Sequence, residues 1–183
     1  IDWINWAMGG RTPVRCTAVG GRQTRPDRPE TGNVWDHFSA TFEFEDGARA
    51  YHMCRHWPNT PADNTAYMLG TTGDCRVMPW RGLHVIKGHD GSSWKASAEK
   101  NDMYQAEHDA LFAAIRRGEP VNDGELMAHS TLLGIMARQA AYTGQVVTWE
   151  QILNSGEDLN PEPWSWGPRP TPEVATPGKT RFS

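Results

Sequence analysis

Several side chains in this sequence have types and spacings suited to chemistry. Arg22, directly after Gly20-Gly21, and Arg55, late in a strand-like run, carry guanidinium forks that hold planar oxygens at two points. They are candidates for gripping an anionic or hydroxyl-rich ligand, against the plainer reading of surface solvation. Asp36 and His37 begin the run that should pair with the segment holding Arg55, so Asp36 and Arg55 are also placed to pair with each other. Tyr104 and His108 are four residues apart, which on a helix sets them one turn apart at the edge of an apolar stripe, where a pocket can open. The alternative for His108 is a structural hydrogen bond to a backbone carbonyl. His52, Cys54 and His56 form an H-x-C-x-H that invites a metal. On a strand rising about 3.3 Å per residue the outer two stand about 13 Å apart, too far for one zinc ion, and no metal is assigned.

Other chemistries are disfavoured by what the chain lacks. Gly20-Gly21-Arg22 is followed by Arg and Pro rather than by a helix, and there is no G-x-G-x-x-G, so no dinucleotide fingerprint is present. There is no G-x-S-x-G, H-E-x-x-H or P-loop either. Cys16, Cys54 and Cys75 are widely spaced without a C-x-x-C, which speaks for buried thiols rather than a disulfide framework. The formal net charge of -4 comes from 18 basic and 22 acidic residues scattered along the chain, so no basic stripe marks nucleic acid as a partner. No apolar run approaches the roughly 18 residues of a membrane span. Nine tryptophans are the outlying count; their faces suit sugar stacking, and equally cores and interfaces.

These residues must be positioned by an α+β arrangement. Asp2-Trp3-Ile4-Asn5-Trp6-Ala7-Met8 before Gly9-Gly10 reads as the last turns of an amphipathic helix with a glycine cap, the tail of an element whose beginning lies upstream. Pro13 to Val19 alternates as a strand into a loop over residues 23 to 33, rich in Pro, Arg, Asp and Gly. Trp35 to Glu45 and Ala48 to His56 flank Asp46-Gly47, a strong hairpin signal. Shorter strands are expected at Thr65 to Thr71, Asp74 to Met78, Leu83 to Lys87 and Ser93 to Ala96. Two helices follow, Asp102 to Arg117 stopped by Gly118, and one capped by Asn122 or Asp123 that runs to about Tyr142 before Gly144. Thr148-Trp149-Glu150-Gln151 is a capping box for a short last helix, and from Gly156 the chain is a Pro-rich tail.

A two-residue turn at Asp46-Gly47 would place opposite each other those residues whose numbers sum to 93. One face then carries Phe38, Ala40, Phe42, Phe44, Tyr51 and Met53 and packs on helices. The other carries His37, Ser39, Thr41, Glu43, His52, Cys54 and His56 and meets solvent, a subunit or a ligand.

Asp2-Trp3-Ile4-Asn5-Trp6, Gly20-Gly21-Arg22, Gly32-Asn33-Val34-Trp35-Asp36-His37-Phe38, Asp46-Gly47, Gly70-Thr71-Thr72-Gly73, Tyr104-x-x-Glu107-His108 with Ala114-Ile115-Arg116, and Tyr142-Thr143-Gly144 with Thr148-Trp149-Glu150 together resemble the C-terminal region of the bacterial Gfo/Idh/MocA oxidoreductases. The resemblance runs from residue 1 to about 155, with 156–183 as a tail. It implies an open, mostly antiparallel sheet with helices on one face, which binds substrate and builds a homodimer or homotetramer through its free face. It also implies a separate N-terminal Rossmann domain for NAD or NADP, outside this sequence together with the catalytic Lys and His, so that this chain alone has no turnover.

The activity implied is hydride transfer at a hydroxyl carbon of a sugar, inositol or related polyol. Arg22, Asp36, His37, Arg55, Tyr104 and His108 are then the expected pocket rim, with the arginines and His108 on substrate oxygens and Tyr104 as wall. Two rivals are a non-catalytic module that has kept the fold and a glycosidase that uses NAD transiently. The compartment expected is the cytoplasm, with export open.

Overall fold

The computed structural model describes residues 1–26, 28–96, 102–161 and 164–183. Asp27 of the expected loop and residues 162 and 163 of the expected tail lie outside the described residues. Contacts divide the chain into two compact units, residues 1–60 with 126–183, and residues 61–125.

The first unit holds a four-stranded antiparallel sheet ordered β3-β2-β1-β8, from β1 (Arg15–Gly21), β2 (His37–Glu43), β3 (Arg49–Arg55) and β8 (Val147–Thr148). With it stand α1 (Asp2–Ala7), α3 (Gly124–Thr143), which starts at the boundary of the units, and α4 (Trp149–Leu153). The even-numbered residues of β1 and β2 supply the core: Cys16, Ala40 and Phe42, with Phe44 just beyond, pack with Leu133, Met136, Ala137 and Ala140 of α3 and with Val147 and Ile152. Small residues on α3 let the helix approach the sheet closely, and the large apolar groups fill what remains. Burial pushes the Cys16 thiol up to about 12, which makes it an inert core group.

Local signals behave as their chemistry dictates. Gly9, Gly10 and Gly144 take positive φ after α1 and α3. Thr148 and Gln151 form both halves of the capping box. The Pro-rich tail ends docked: Phe182 packs on the core cluster, the Gly178 N–H donates to the Thr143 carbonyl, and Ser155 Oγ donates to the Ser183 carbonyl at 2.5 Å.

The hairpin differs from expectation by one residue. Observed partners sum to 92, as in Phe38 with Cys54 and Thr41 with Tyr51. Glu45 joins Asp46 and Gly47 in a three-residue loop: the Phe44 carbonyl accepts from the Gly47 N–H, Gly47 sits at φ +83, and the Phe44 N–H donates to the Ala48 carbonyl. Because side chains alternate with period two, this shift turns β3 over relative to β2. His52 and Cys54 stand on the side of Phe38 and Ala40, and burial lowers the pKa of His52. Tyr51 and Met53, expected in the core, lie on the open face at 64% and 76% exposure.

The second unit contains a separate antiparallel sheet, β4 (Ala66–Leu69), β5 (Gly73–Met78), β6 (Leu83–Gly88) and β7 (Ser93–Lys95) in sequential order, and α2 (Met103–Arg117). Asp102 caps α2 through the amides of Tyr104 and Gln105, and Gly118 closes it at φ +69. The architecture is thus an open α+β arrangement with two antiparallel sheets in place of one. Among the described residues no helix is long and apolar enough to cross a membrane.

Two measurements check this packing. Phe42→Ala should lower stability by about 3–5 kcal/mol in chemical denaturation, since it empties a fully buried site. Thr41 and Tyr51 face each other across a non-hydrogen-bonded position, so cysteines placed there in a background free of native thiols should form a disulfide on mild oxidation. Cysteines at Thr41 and His52, the pair that a two-residue turn would align, should not.

Candidate functional site

In the first unit the predicted Asp36 and His37 bond to each other, and the Asp36 side chain has no exposure. Its Oδ2 accepts backbone N–H groups of Gln23 and Thr24, both at 2.7 Å, and of Arg25 at 3.1 Å, together with the Thr24 hydroxyl at 3.3 Å. Its Oδ1 accepts from His37 Nδ1 at 2.8 Å and Trp57 Nε1 at 2.9 Å. The Asp36 backbone is also engaged, donating to the Gly21 carbonyl and accepting from the His56 N–H. Burial by itself raises the pKa of this carboxyl. Hydrogen bonds from His37, Trp57, Thr24 and Gln23 outweigh it and hold the group well below the usual carboxylate range.

An ionised carboxylate only accepts, so His37 carries its proton on Nδ1 and presents Nε2 as an acceptor. Its imidazole is about one-third exposed and meets the Trp57 ring edge-on at 5.3 Å between centroids. His37 pairs with Gly21 across the strands, and a Cβ on Gly21 would come within 3.1 Å of His37 Cε1, so glycine there leaves room for the ring. Arg55, expected to pair with Asp36, instead lies opposite His37 with its guanidinium 5.4 Å from the Trp57 ring centre.

Arg22, expected on a ligand, is turned to its own loop. Nη1 donates to the Gly32 carbonyl at 2.6 Å, Nη2 to the Pro26 carbonyl and Thr31 Oγ1, and Nε to the Arg25 carbonyl. The residues missed from sequence are Trp57 and the amides of Gln23, Thr24 and Arg25. Trp57 lies two positions beyond Arg55, after the strand has ended, and backbone amides carry no side-chain signature.

Tyr104 and His108 belong to the second unit. On α2, His108 Nδ1 is 2.7 Å from the Tyr104 carbonyl, which is the structural hydrogen bond weighed above, and Tyr104 is exposed. The second sheet has a feature of its own. Met68, Cys75, Ile86 and Trp94 are cross-strand partners in one row, and they floor a groove of about 570 Å³ edged by Asp74, Lys87 and Asp90. Trp94 is 55% exposed there.

Two antiparallel sheets with α2, α3 and the short flanking helices have the architecture of the C-terminal domain of sugar-related dehydrogenases and oxidoreductases. No protein-family model matches the chain. No curated protein matches it by sequence. Solved structures do match. The chain is similar to levoglucosan dehydrogenase in complex with NADH and levoglucosan, at 18% identity and TM-score 0.63 over 81% of this chain and 47% of that one. It is similar to UDP-N-acetylglucosamine 3-dehydrogenase from Acidithiobacillus ferrooxidans, at 18% identity and TM-score 0.62 over 76% and 44%. It is also similar to aldose-aldose oxidoreductase from Caulobacter crescentus, at 21% identity and TM-score 0.59 over 80% and 44%. The chain spans less than half the length of each. These likenesses establish the fold, which is the one that the resemblance to Gfo/Idh/MocA oxidoreductases implies.

Asp36→Asn tests the centre of the first unit. It sets N–H groups against converging donors and should cost roughly 3–5 kcal/mol. Because the folded-state pKa is depressed, the stabilisation from ionised Asp36 is complete above the unfolded value near 3.9 and is lost as pH falls below it. Denaturation midpoints recorded downward from about pH 5 should therefore fall more steeply for the native protein than for the variant.

Proposed function

We propose that this chain is the substrate-binding and assembly portion of an NAD(P)-dependent oxidoreductase that transfers hydride at a hydroxyl carbon of a sugar, inositol or related polyol. The observation that carries the reading is the shared fold with three enzymes whose names give sugar or sugar-nucleotide chemistry. The cofactor, NAD or NADP, supplies the hydride acceptor. The described residues of this chain do not fit a dinucleotide cradle: both sheets are antiparallel, and Gly20-Gly21 ends a strand that runs into a loop, not a helix. Cofactor binding and the proton acceptor beside the alcohol are therefore assigned to the remainder of the full-length protein, and no catalytic residue is assigned here.

Within this chain His37, Arg55, Tyr104 and His108 are proposed as substrate contacts. His37 offers an acceptor nitrogen held in place by Asp36, and Arg55 a guanidinium backed by an indole. Arg22 and Asp36 are assigned a positioning role, since their polar atoms already serve the loop between β1 and β2. The open face of the first sheet is proposed as the contact for a homodimer or homotetramer, because Val19 at 70% exposure stands on it with Tyr51 and Met53.

The test uses the full-length protein with NAD or NADP and a panel of neutral sugars and inositols, followed by formation of the reduced nicotinamide. Turnover with at least one polyol is expected, and residues 1–183 alone should give none. Alanine at Arg55 or Tyr104 should raise KM about tenfold with a smaller change in kcat, as expected for lost ground-state binding. Failure to bind either nicotinamide would overturn the oxidoreductase reading. In light scattering, Val19→Lys combined with Met53→Lys should reduce the oligomer to a smaller species; an unchanged mass would remove the open face as the contact.

A further inference from the structure

The corner organised by Asp36 also has an outward side, a cleft of about 310 Å³ within the first unit. That volume is at the lower end for small-molecule sites and suits a single sugar ring. Pro26 and Pro58 give it stiff edges and Trp57 gives it an aromatic wall. The wall is fixed, because the indole N–H is committed to Asp36 Oδ1, and the base of Arg25 is fixed by its own amide on Oδ2.

The polar groups of the cleft sort cleanly by commitment. The Thr24 hydroxyl donates to Asp36, and the Thr31 hydroxyl faces the carbonyls of Pro26 and Arg28 while accepting from Arg22. Arg25 and His56 remain. Arg25 Nε is buried without a hydrogen-bond partner, a condition that calls for an acceptor. Arg25 Nη2 lies 3.4 Å from His56 Nδ1. Arginine has only donors, so Nδ1 accepts and the His56 proton sits on Nε2, a second donor among the lining residues. Among the described residues lining the cleft none is acidic, and the Asp36 carboxylate, which binds the Arg25 amide and the Trp57 indole, is saturated by its six donors.

We propose that this cleft binds the carboxylate or phosphate group of a small anion, held by Arg25 and His56, with an attached sugar ring resting on Trp57. A guanidinium fork matches two oxygens of either group, and a flat indole between prolines matches the ring. The proposal stands on the cleft and is independent of the dehydrogenase reading: binding here does not require turnover, and turnover does not require binding here.

Calorimetric titration of the full-length protein decides it, with four probes: glucuronate, glucose 6-phosphate, inorganic phosphate and glucose. Saturable binding of glucuronate or glucose 6-phosphate is expected, with glucose at least about tenfold weaker, and whichever anion binds more tightly identifies the source of the charge. Arg25→Gln should abolish the preference for the anion, and Arg25→Lys, which keeps the charge but loses the fork, should weaken binding about tenfold. Both variants change a loop side chain outside the core, and unchanged denaturation midpoints verify their folding. The proposal is overturned if neither sugar anion binds, or if binding survives both substitutions. Inorganic phosphate competing as well as glucose 6-phosphate would overturn the contact with Trp57.

Discussion

A carboxylate withdrawn from water persists in ionised form only when donors replace the water, and Asp36 imposes that requirement on every segment around it. Three successive amides, of Gln23, Thr24 and Arg25, converge on one oxygen, which forces the chain leaving β1 to curl rather than run on. The other oxygen draws in an imidazole from β2 and an indole from beyond β3. The exit of β1, the start of β2 and the exit of β3 are therefore tied at one point. Arg22 does the complementary work on the same loop, supplying donors to the carbonyls of Arg25, Pro26 and Gly32. The candidate chemistry of the first unit, the His37 acceptor, the stacked Arg55 and the Arg25 cleft, exists because this anion is satisfied.

A second constraint is parity. β2 was readable from sequence because Phe38, Ala40, Phe42 and Phe44 alternate without ambiguity, and they are the residues that face α3. β3 was not, because Ala50, Tyr51, His52, Met53 and Cys54 place apolar groups on both parities, so only the turn decides which side is buried. Asp46-Gly47 correctly marked the turn, yet not its length: Glu45 belongs to the loop, and one residue reverses the side on which His52 and Met53 stand. Features governed by neighbours in sequence fared better, as with the Thr148 capping box, the glycine after α3 and Gly118 at the end of α2.

The same distinction separates the legible from the illegible in the site. Asp36-His37 and Arg55 stood out as polar residues at strand ends, and they do meet in one corner. Which partner each would take was hidden, since it depends on where backbone amides and carbonyls point once the loop has closed. Arg22 has the composition of a ligand contact and the surroundings of a structural clamp. In the second unit, the row Met68, Cys75, Ile86 and Trp94 exists only once four strands are in register, and no pair of these residues is adjacent in sequence.

The corrected register also makes sense of the open face. Cross-strand rows run Arg15, Glu43, Arg49; then Thr17, Thr41, Tyr51; then Val19, Ser39, Met53; then Gly21, His37, Arg55. The first row is an ion-paired edge, with Arg15 at 2.9 Å and Arg49 at 3.7 Å from Glu43. The last is the basic edge beside Asp36. The two rows between them carry the exposed apolar groups Tyr51, Val19 and Met53 beside Thr17, Thr41 and Ser39. An antiparallel sheet with a solvated face ordinarily turns polar residues outward along its whole length, whereas here Val19, Tyr51 and Met53 stand exposed among Thr17, Ser39 and Thr41. Under the two-residue turn, Tyr51 and Met53 would have been core and this face would have carried His52 and Cys54 in their place. The extra loop residue exports them, so the same step that corrects the hairpin sets Tyr51 and Met53 beside Val19 on the open face.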